Sequence, residues 1–410
     1  MAHPAPRVCC LDLDTFFVSV ERLLDPSLVG RPVVVGAAPG NRGVVCACSY
    51  EVRRFGVRSG MPISEAVRLA PHAVFLPPRH ATYSPYAKEV RTILERYTPE
   101  VQTASIDEFF LDFRGCERLY ASRADADDDA TVERVVRRMR QDIQAELGLP
   151  ASAGVGVTRS IAKIASGRAK PAGVVMVRRG EERDFLRPLP VRKFPGIGPV
   201  TERRLHEAGL RTLGDLLELP DGPARARFRR LGDRVAAACD PGGIVRLGKD
   251  RPAFHEFDPE GRTVGSISNE RTFSVDVGDE ARIDAQLVKL AERVCHRARS
   301  RDIRARTIGL KLRYADFQTV SRSKTIPPTN VDTTVLAVVR ALYERARRRD
   351  LPIRLLGVQF QNLVGRDCQL ILPLGAPERP AVSTALDAVR EKFGYDAVRL
   401  GAVDKSRWIA

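Results

Sequence analysis

No two cysteines in this 410-residue chain have the Cys-x-x-Cys spacing of a zinc site. The eight that occur (Cys9, Cys10, Cys46, Cys48, Cys116, Cys239, Cys295 and Cys368) are scattered, several of them in apolar runs. A reduced thiol there behaves as a small hydrophobe, which suits a reducing cytoplasm. No apolar run approaches the ~20 residues that a membrane-spanning helix needs. The first residues, MAHPAPRVCCLDLD, lack the basic segment and long apolar core of a secretory signal. A cytoplasmic protein, with no membrane partner, is expected.

What is present is size and positive charge. The chain is too long for one typical core, and about two to four domains are expected. Hydrophobic residues make up 43%, enough to fill globular interiors. The formal net charge is +16 and the sequence pI about 9.9. An excess of this size points to a polyanionic partner. Generic basicity from an arginine-rich genome is the alternative, so charge alone does not decide.

The most informative stretch is Val101–Phe113, VQTASIDEFFLDF. Val101, Thr103 and Ser105, then Phe109, Leu111 and Phe113, alternate as two strands joined by a tight turn that carries Asp107 and Glu108. Adjacent carboxylates repel, so such a pair is either left in water or gathered around a divalent cation. A second stretch, VCCLDLDTFFVSV at Val8–Val20, sets Asp12 and Asp14 into an apolar run that reads as a buried strand. Alone, this Asp-x-Asp also fits a strand end or a sugar-nucleotide motif. If the two strands are neighbours, Asp12, Asp107 and Glu108 converge on two Mg²⁺ ions about 3.5–4 Å apart, the arrangement that stabilises attacking and leaving oxygens in phosphoryl displacement.

DLDTFFVSVE, CSYEVRRFGVRSGMP, SIDEFFLD, AKIASGRAKPAG and KFPGIGPVTERRL occur here in one order and spacing. Together they resemble the Y-family DNA polymerases, most closely the DNA polymerase IV (DinB) branch, over residues about 7 to 365. The resemblance implies an α+β multidomain, right-hand architecture. Its parts are a palm (7–15 and 80–173), fingers (16–79), a helix-hairpin-helix thumb (174–245), a linker (246–257), a little finger (258–365) and a C-terminal tail (366–410). Within these, helices are expected over Pro85–Tyr97, Val132–Leu147 and Arg159–Arg168, and a solvated acidic loop at Ala124–Ala130. The little finger reads strand, helix, strand, strand, helix, strand.

The family's chemistry is attack of a primer 3′-oxygen on the α-phosphate of a deoxynucleoside triphosphate. The resemblance makes Asp12, Asp107 and Glu108 catalytic metal ligands, with the Leu13 carbonyl completing a shell and Asp14 either ligand or structural support. It puts Tyr50, Arg53 and Lys170 on the triphosphate, and Phe17 under the sugar as a steric gate against ribonucleotides. Cys46 and Ala47 fall over the new base pair, where small side chains leave a loose roof. Thr158-Arg159 departs from the family's usual Asn-Lys.

Phe194–Gly209 carries the helix-hairpin-helix signature, in which Gly196 and Gly198 allow a tight turn and Pro199 opens a helix whose N–H groups face phosphate. With Arg203, and with Arg271, Arg304 and Arg306 beyond, DNA-backbone contacts are expected; Arg297, Arg299 and Arg301 extend the basic run. The tail segment Gln369–Leu374, QLILPL, resembles the peptide that docks on the bacterial sliding clamp, through Gln369, Leu370 and Leu372. Pro373 departs from that pattern, and a plain β-strand is the alternative. The expected protein is thus an error-prone translesion polymerase without a proofreading segment. It would be a monomer of the bacterial nucleoid that binds primer-template DNA and dNTP. A non-catalytic adaptor and a nucleotide cyclase are the rival readings.

Overall fold

The computed structural model describes residues 7–219, 221–240, 265–348, 350–365 and 380–400. The chain divides into two compact units, Met1–Glu256 and Phe257–Ala410. The expected linker over 246–257 and the clamp-peptide residues Gln369, Leu370 and Leu372 lie outside the described residues. No described helix is long and apolar enough to cross a membrane.

The first unit starts with β1 (Val8–Leu13), every residue of which is buried. Thr15, at φ 46°, turns the chain into α1 (Phe16–Leu24). A small sheet follows: β2 (Val33–Gly36) pairs antiparallel with β3 (Val45–Cys48) and parallel with a later β4 (Val74–Leu76). Helices α2 (Tyr50–Arg53) and α3 (Ile63–Leu69) lie between these last two strands in the chain. Val34, Val45, Val52, Ile63 and Ala66 fill the core of this region.

The chain then returns through α4 (His80–Leu94) to β5 (Val101–Thr103) and β6 (Glu108–Asp112). Helix α4 starts five residues before the expected Pro85, which therefore lies inside the helix and costs it the bond that an N–H at this position would make to the Ala81 carbonyl. The turn before β6 carries Asp107, whereas Glu108 is already in the strand. After α5 (Glu117–Tyr120), α6 spans Asp128–Leu147. The expected acidic loop thus gives four residues at its end to structure. Asp127 caps α6 by accepting from Ala130 N, and Asp128 and Asp129 in the first turn complement the helix dipole. Strand β7 (Ala151–Gly156), helix α7 (Arg159–Ala169) and strand β8 (Val174–Met176) complete the sheet, in the order β5-β6-β1-β7-β8.

Side-chain parity in this sheet decides everything that follows, since alternate residues point to opposite faces. Cys9, Leu11 and Leu13 of β1, Phe109 and Leu111 of β6, and Ala151, Ala153 and Val155 of β7 enter one core with α4 and α6. Val8, Cys10 and Phe110 point the other way, against Ala162 of α7. The β7 residues on that second face are Ser152, Gly154 and Gly156, all small. A Cβ built on Gly154 would lie 2.0 Å from Ser166 N and 2.4 Å from the Ala162 carbonyl, so only glycine lets α7 lie this close to the sheet.

The far side of α7 supplies Ile161, Ile164 and Ala165 to a third core. That core belongs to α8 (Glu182–Leu186), α9 (Pro199–Glu207), α10 (Leu213–Leu217) and α11 (Pro223–Cys239).

The second unit follows the expected order: β9 (Ser266–Val277), α12 (Glu280–Arg299), β10 (Arg304–Tyr314), β11 (Thr319–Thr329), α13 (Asp332–Ala346) and β12 (Ile353–Val364). Its antiparallel sheet runs β11-β10-β12-β9, with both helices on one face. A final helix, α14 (Pro380–Phe393), docks on α12 through a fully buried ion pair, Arg390 Nη2 to Glu292 Oε1 at 2.6 Å. Beside it Arg299 pairs with Asp387 and Asp332.

Candidate active site

Asp12 and Glu108 are directly paired across β1 and β6. Parity puts both on the face covered by α7, in line with Val8, Cys10 and Phe110. From α7, Lys163 reaches down between them, its Nζ 2.8 Å from Asp12 Oδ2 and 2.6 Å from Glu108 Oε2. Burial alone would lower the Lys163 pKa, but the charges of Asp12 and Glu108 overcome it and hold the ammonium well above its ordinary range. Lys170, just past the helix, forms a second ion pair with Asp12 and lies 3.6 Å from Asp14 Oδ1.

Asp107 adjoins this corner through its backbone: its carbonyl accepts from Leu13 N at 2.8 Å. Its carboxylate is turned onto the Ser105 hydroxyl. The expected convergence of three carboxylates therefore takes the form of two facing carboxylates with a third next to them. Among the described residues no three His, Cys, Asp or Glu side chains form a ready-made metal cage. The donor set is nevertheless hard oxygen throughout, from Asp12, Asp107, Glu108 and the Leu13 carbonyl. Asp12 and Glu108 already share one cationic group, so these residues fit a divalent cation of the Mg²⁺ kind.

Asp14 is almost fully buried and has three donors: Tyr50 Oη at 3.1 Å, Ser152 Oγ at 2.7 Å and Ala172 N at 2.7 Å. A carboxylate so satisfied is structural support, the second of the two roles open to it from sequence. It also engages the Tyr50 hydroxyl, which the motif assigned to a triphosphate. Burial, then the neighbouring Asp14 charge, pushes the Tyr50 phenol well above its ordinary range. Arg53 stacks over the Tyr50 ring, 4.8 Å from its centroid, and its buried Nε has no hydrogen-bond partner among the described residues. A buried guanidinium N–H without an acceptor is a donor ready for an anion.

Phe17, half-buried in α1, stacks on Tyr83 of α4 with ring centroids 4.3 Å apart and planes at 20°. Cys46 is exposed on β3, while Ala47 is partly buried against Val18, Leu28, Val33 and Val35. Thr158, in place of the family's Asn, caps α7 and donates to the Ala238 carbonyl at 2.8 Å. Arg159 lies over the Phe110 ring at 4.2 Å.

Gly196 adopts φ 91°, as the hairpin turn requires. Gly198 does not: at φ −93° it is an extended N-cap to α9, and a Cβ there would meet nothing within 4 Å. Arg203 is exposed on α9. In the second unit the expected basic run is broken up. Arg299 is held in the ion pairs with Asp387 and Asp332, and Arg304 and Arg306 are exposed on β10 rather than at a helix end. Arg271 is opposite Leu356, a core residue, so it shares the helix-covered face of the sheet, whereas Arg304 and Arg306 flank buried Ala305 and point away from it.

Two charged residues beside these groups escaped the motif reading. Lys163 lies inside AKIASGRAKPAG but carried no assigned role; a lone lysine between buried Ala162 and Ile164 was the available signal. Glu21 is a charged residue in an apolar helix face, buried to 3% exposure.

The impB/mucB/samB family profile matches residues 11–167, the C-terminal domain of the same family matches 264–371, and the IMS family HHH motif matches 179–210. A DNA polymerase IV of Dehalococcoides mccartyi (strain CBDB1) is 35% identical over 401 residues, covering 96% of this chain and 97% of the relative. A DNA polymerase IV of Streptomyces coelicolor is 38% identical over 359 residues, covering 88% of this chain and 71% of that protein. Among solved structures, a Y-family DNA polymerase chimera of Dbh and Dpo4 has the same fold, with a TM-score of 0.71 at 24% identity, covering 88% of this chain and 100% of that one. The chain belongs to the impB/mucB/samB family and is a DNA-directed DNA polymerase of the Y family, on the DNA polymerase IV branch.

Proposed function

We propose that this polymerase extends a primer 3′ end by two-metal-ion catalysis with Mg²⁺, reads past damaged template bases, and does not proofread. The observation that carries the reading is the direct opposition of Asp12 and Glu108 on neighbouring strands, with Asp107 next to them and a cation already between them. Asp12 and Asp107 would hold both ions, Glu108 the one beside the primer 3′-oxygen, and the Leu13 carbonyl would complete a shell. Bound there, Mg²⁺ supplies Lewis-acid polarisation of the α-phosphate and a more acidic 3′-hydroxyl.

The remaining roles belong to side chains. Arg53 offers its unpartnered Nε to a phosphate oxygen, and Lys170 adds a point charge. Tyr50 is fixed by Asp14 beside them. Phe17 lies under the sugar. Residues 7–15 and 80–173 act as palm, 16–79 as fingers, 174–245 as thumb and 258–365 as little finger. The thumb hairpin at Gly196 and Gly198, with Arg203, holds duplex phosphates; Arg304 and Arg306 do so from the little finger. Arg271 is the weakest member of that set, being on the other face of its sheet. The insertion ternary complex solved for Dbh DNA polymerase, a protein of the same fold, supports primer-template DNA and an incoming nucleotide as partners. Docking of Gln369, Leu370 and Leu372 on a sliding clamp, a monomeric state and residence at the bacterial nucleoid complete the proposal.

Primer extension on a defined template with Mg²⁺ tests it. Nucleotide-dependent lengthening that disappears in Asp12→Asn is expected, with no shortening of a mismatched primer. An intact protein that leaves the primer unextended would return the chain to the role of a non-catalytic adaptor.

A further inference from the structure

The ring of Phe17 is not held by its own helix alone. It stacks on Tyr83, and His80 meets it edge-on at 5.4 Å. Tyr83 is fully buried, and its hydroxyl donates to Glu21 Oε1 at 2.6 Å. Glu21, one turn beyond Phe17 on α1, is itself buried. Its carboxylate is gripped at both oxygens by Arg79, which donates from Nε at 2.9 Å and from Nη2. Arg79 is the residue just before α4, and its side chain is half-exposed. The four residues form a chain: Arg79 fixes Glu21, Glu21 fixes Tyr83, and Tyr83 backs the face of Phe17.

A buried carboxylate is costly unless it is paired, and here the pairing joins the helix that carries Phe17 to the helix behind it. Nothing in the packing of two apolar rings requires a charged residue there; a phenylalanine in place of Tyr83 would stack as well. What the hydroxyl and carboxylate add is a fixed slide and tilt of the backing ring. Burial, with help from the bond to Glu21, also pushes the Tyr83 phenol up to about 12, so it remains a donor at any physiological pH.

We propose that Glu21 is a positioning residue for sugar selection: held by Arg79, it locks Tyr83 behind Phe17 and thereby sets how closely the Phe17 ring approaches the sugar of the incoming nucleotide. The proposal rests on the reading of Phe17 as the steric gate. A ring that is free to retreat by a fraction of an ångström admits a 2′-hydroxyl, so selectivity depends on the backing as well as on the ring.

The test is single-nucleotide insertion by the full chain on primer-template DNA, with KM and kcat measured for a dNTP and the matching rNTP. Phe17→Ala, Glu21→Gln, Tyr83→Phe and Arg79→Gln are compared with the native chain. Glu21→Gln and Tyr83→Phe should lower the dNTP-over-rNTP selectivity by about tenfold, mainly through a lower KM for the ribonucleotide, as expected for loss of fixed positioning. Arg79→Gln acts from the exposed end of the chain of contacts and should give a smaller loss in the same direction, which Arg79→Lys partly restores. It also serves where Glu21→Gln fails to fold. If Phe17→Ala loses selectivity while the other three keep it, the positioning role is wrong and the gate stands. If Phe17→Ala keeps it, the gate itself is wrong. If both insertions fall together at constant ratio, Glu21 only stabilises the fold, and the proposal fails.

Discussion

Asp12 and Glu108 are register partners in the β1–β6 ladder, and the ammonium of Lys163 is within 2.8 Å of both. Two carboxylates on adjacent strands repel; the lysine from α7 makes the arrangement tolerable. Removing either carboxylate should abolish insertion while the fold persists, because Lys163 keeps one partner. Asp12→Asn and Glu108→Gln are each expected to cost on the order of 10³-fold or more in kcat, the scale of losing a main electrostatic element of a site. Full activity of either variant in primer extension with Mg²⁺ would remove Asp12 or Glu108 from catalysis.

Lys163 itself gives a second prediction. In metal-free buffer, Lys163→Met leaves Asp12 and Glu108 facing each other with less compensation. A fully buried pair broken this way would cost several kcal/mol; the Lys163 side chain is 35% exposed, so about 1–2 kcal/mol is expected. Added Mg²⁺ should restore part of that loss in Lys163→Met and stabilise Asp12→Asn much less. Equal stabilisation of both variants, read by thermal unfolding, would mean that the cation binds elsewhere.

These two residue pairs mark where the sequence was readable. The apolar run around Asp12 and the period-2 alternation around Glu108 were visible, and with them the buried strand and the acidic corner. Lys163 meets Asp12 from 151 positions away, a distance in the chain that no local period reports. The small residues Ser152, Gly154 and Gly156 hold the missing information, since a strand face that small invites a helix to close contact. The same limit explains Arg271: a DNA-backbone contact was expected of it, but which face it shares depends on a strand register fixed only by the assembled sheet. The early start of α6 was missed for a local reason, as Asp127 and its neighbours read as a solvated run until a helix dipole is placed behind them.

Binding of primer-template DNA should weaken steeply with salt, because arginines displace counterions from phosphate. Arg203→Ala removes one exposed cation from α9 beside the Gly196 turn. The slope of log affinity against log salt should then fall by about one, with little change between template sequences. An unchanged slope in fluorescence anisotropy would take Arg203 out of the interface.

Thr158 joins two parts of the first unit. Its hydroxyl accepts from Ile161 N at the start of α7 and donates to the Ala238 carbonyl at the end of α11. Thr158→Ala loses a cap and leaves a buried carbonyl without its donor, at a cost of about 1–3 kcal/mol. Thr158→Ser should recover most of it. Urea unfolding midpoints measure both, and an Ala variant as stable as the native chain would show that water replaces the hydroxyl.

Two glycines near α7 should respond to alanine with opposite signs. Gly154 is on β7 beneath the helix, and its missing Cβ is what admits Ser166 N and the Ala162 carbonyl. Both are backbone atoms of α7 and cannot rotate away, so Gly154→Ala must lift the helix. The expected loss is about 3 kcal/mol, at the upper end of overpacking, because the obstruction is backbone and not a flexible side chain. Lifting α7 also withdraws Lys163 from Asp12 and Glu108, so insertion should fall more than the loss of folded protein explains. Gly167 is exposed on α7 itself, and a Cβ there meets nothing within 4 Å. Gly167→Ala should stabilise the helix by about 0.5–1 kcal/mol and leave Lys163 in place. Unfolding and insertion measured on both variants separate the effect of helix height from that of helix stability. If Gly154→Ala were destabilised yet inserted nucleotide at the native rate per folded molecule, the height of α7 over the sheet would not control the acidic corner.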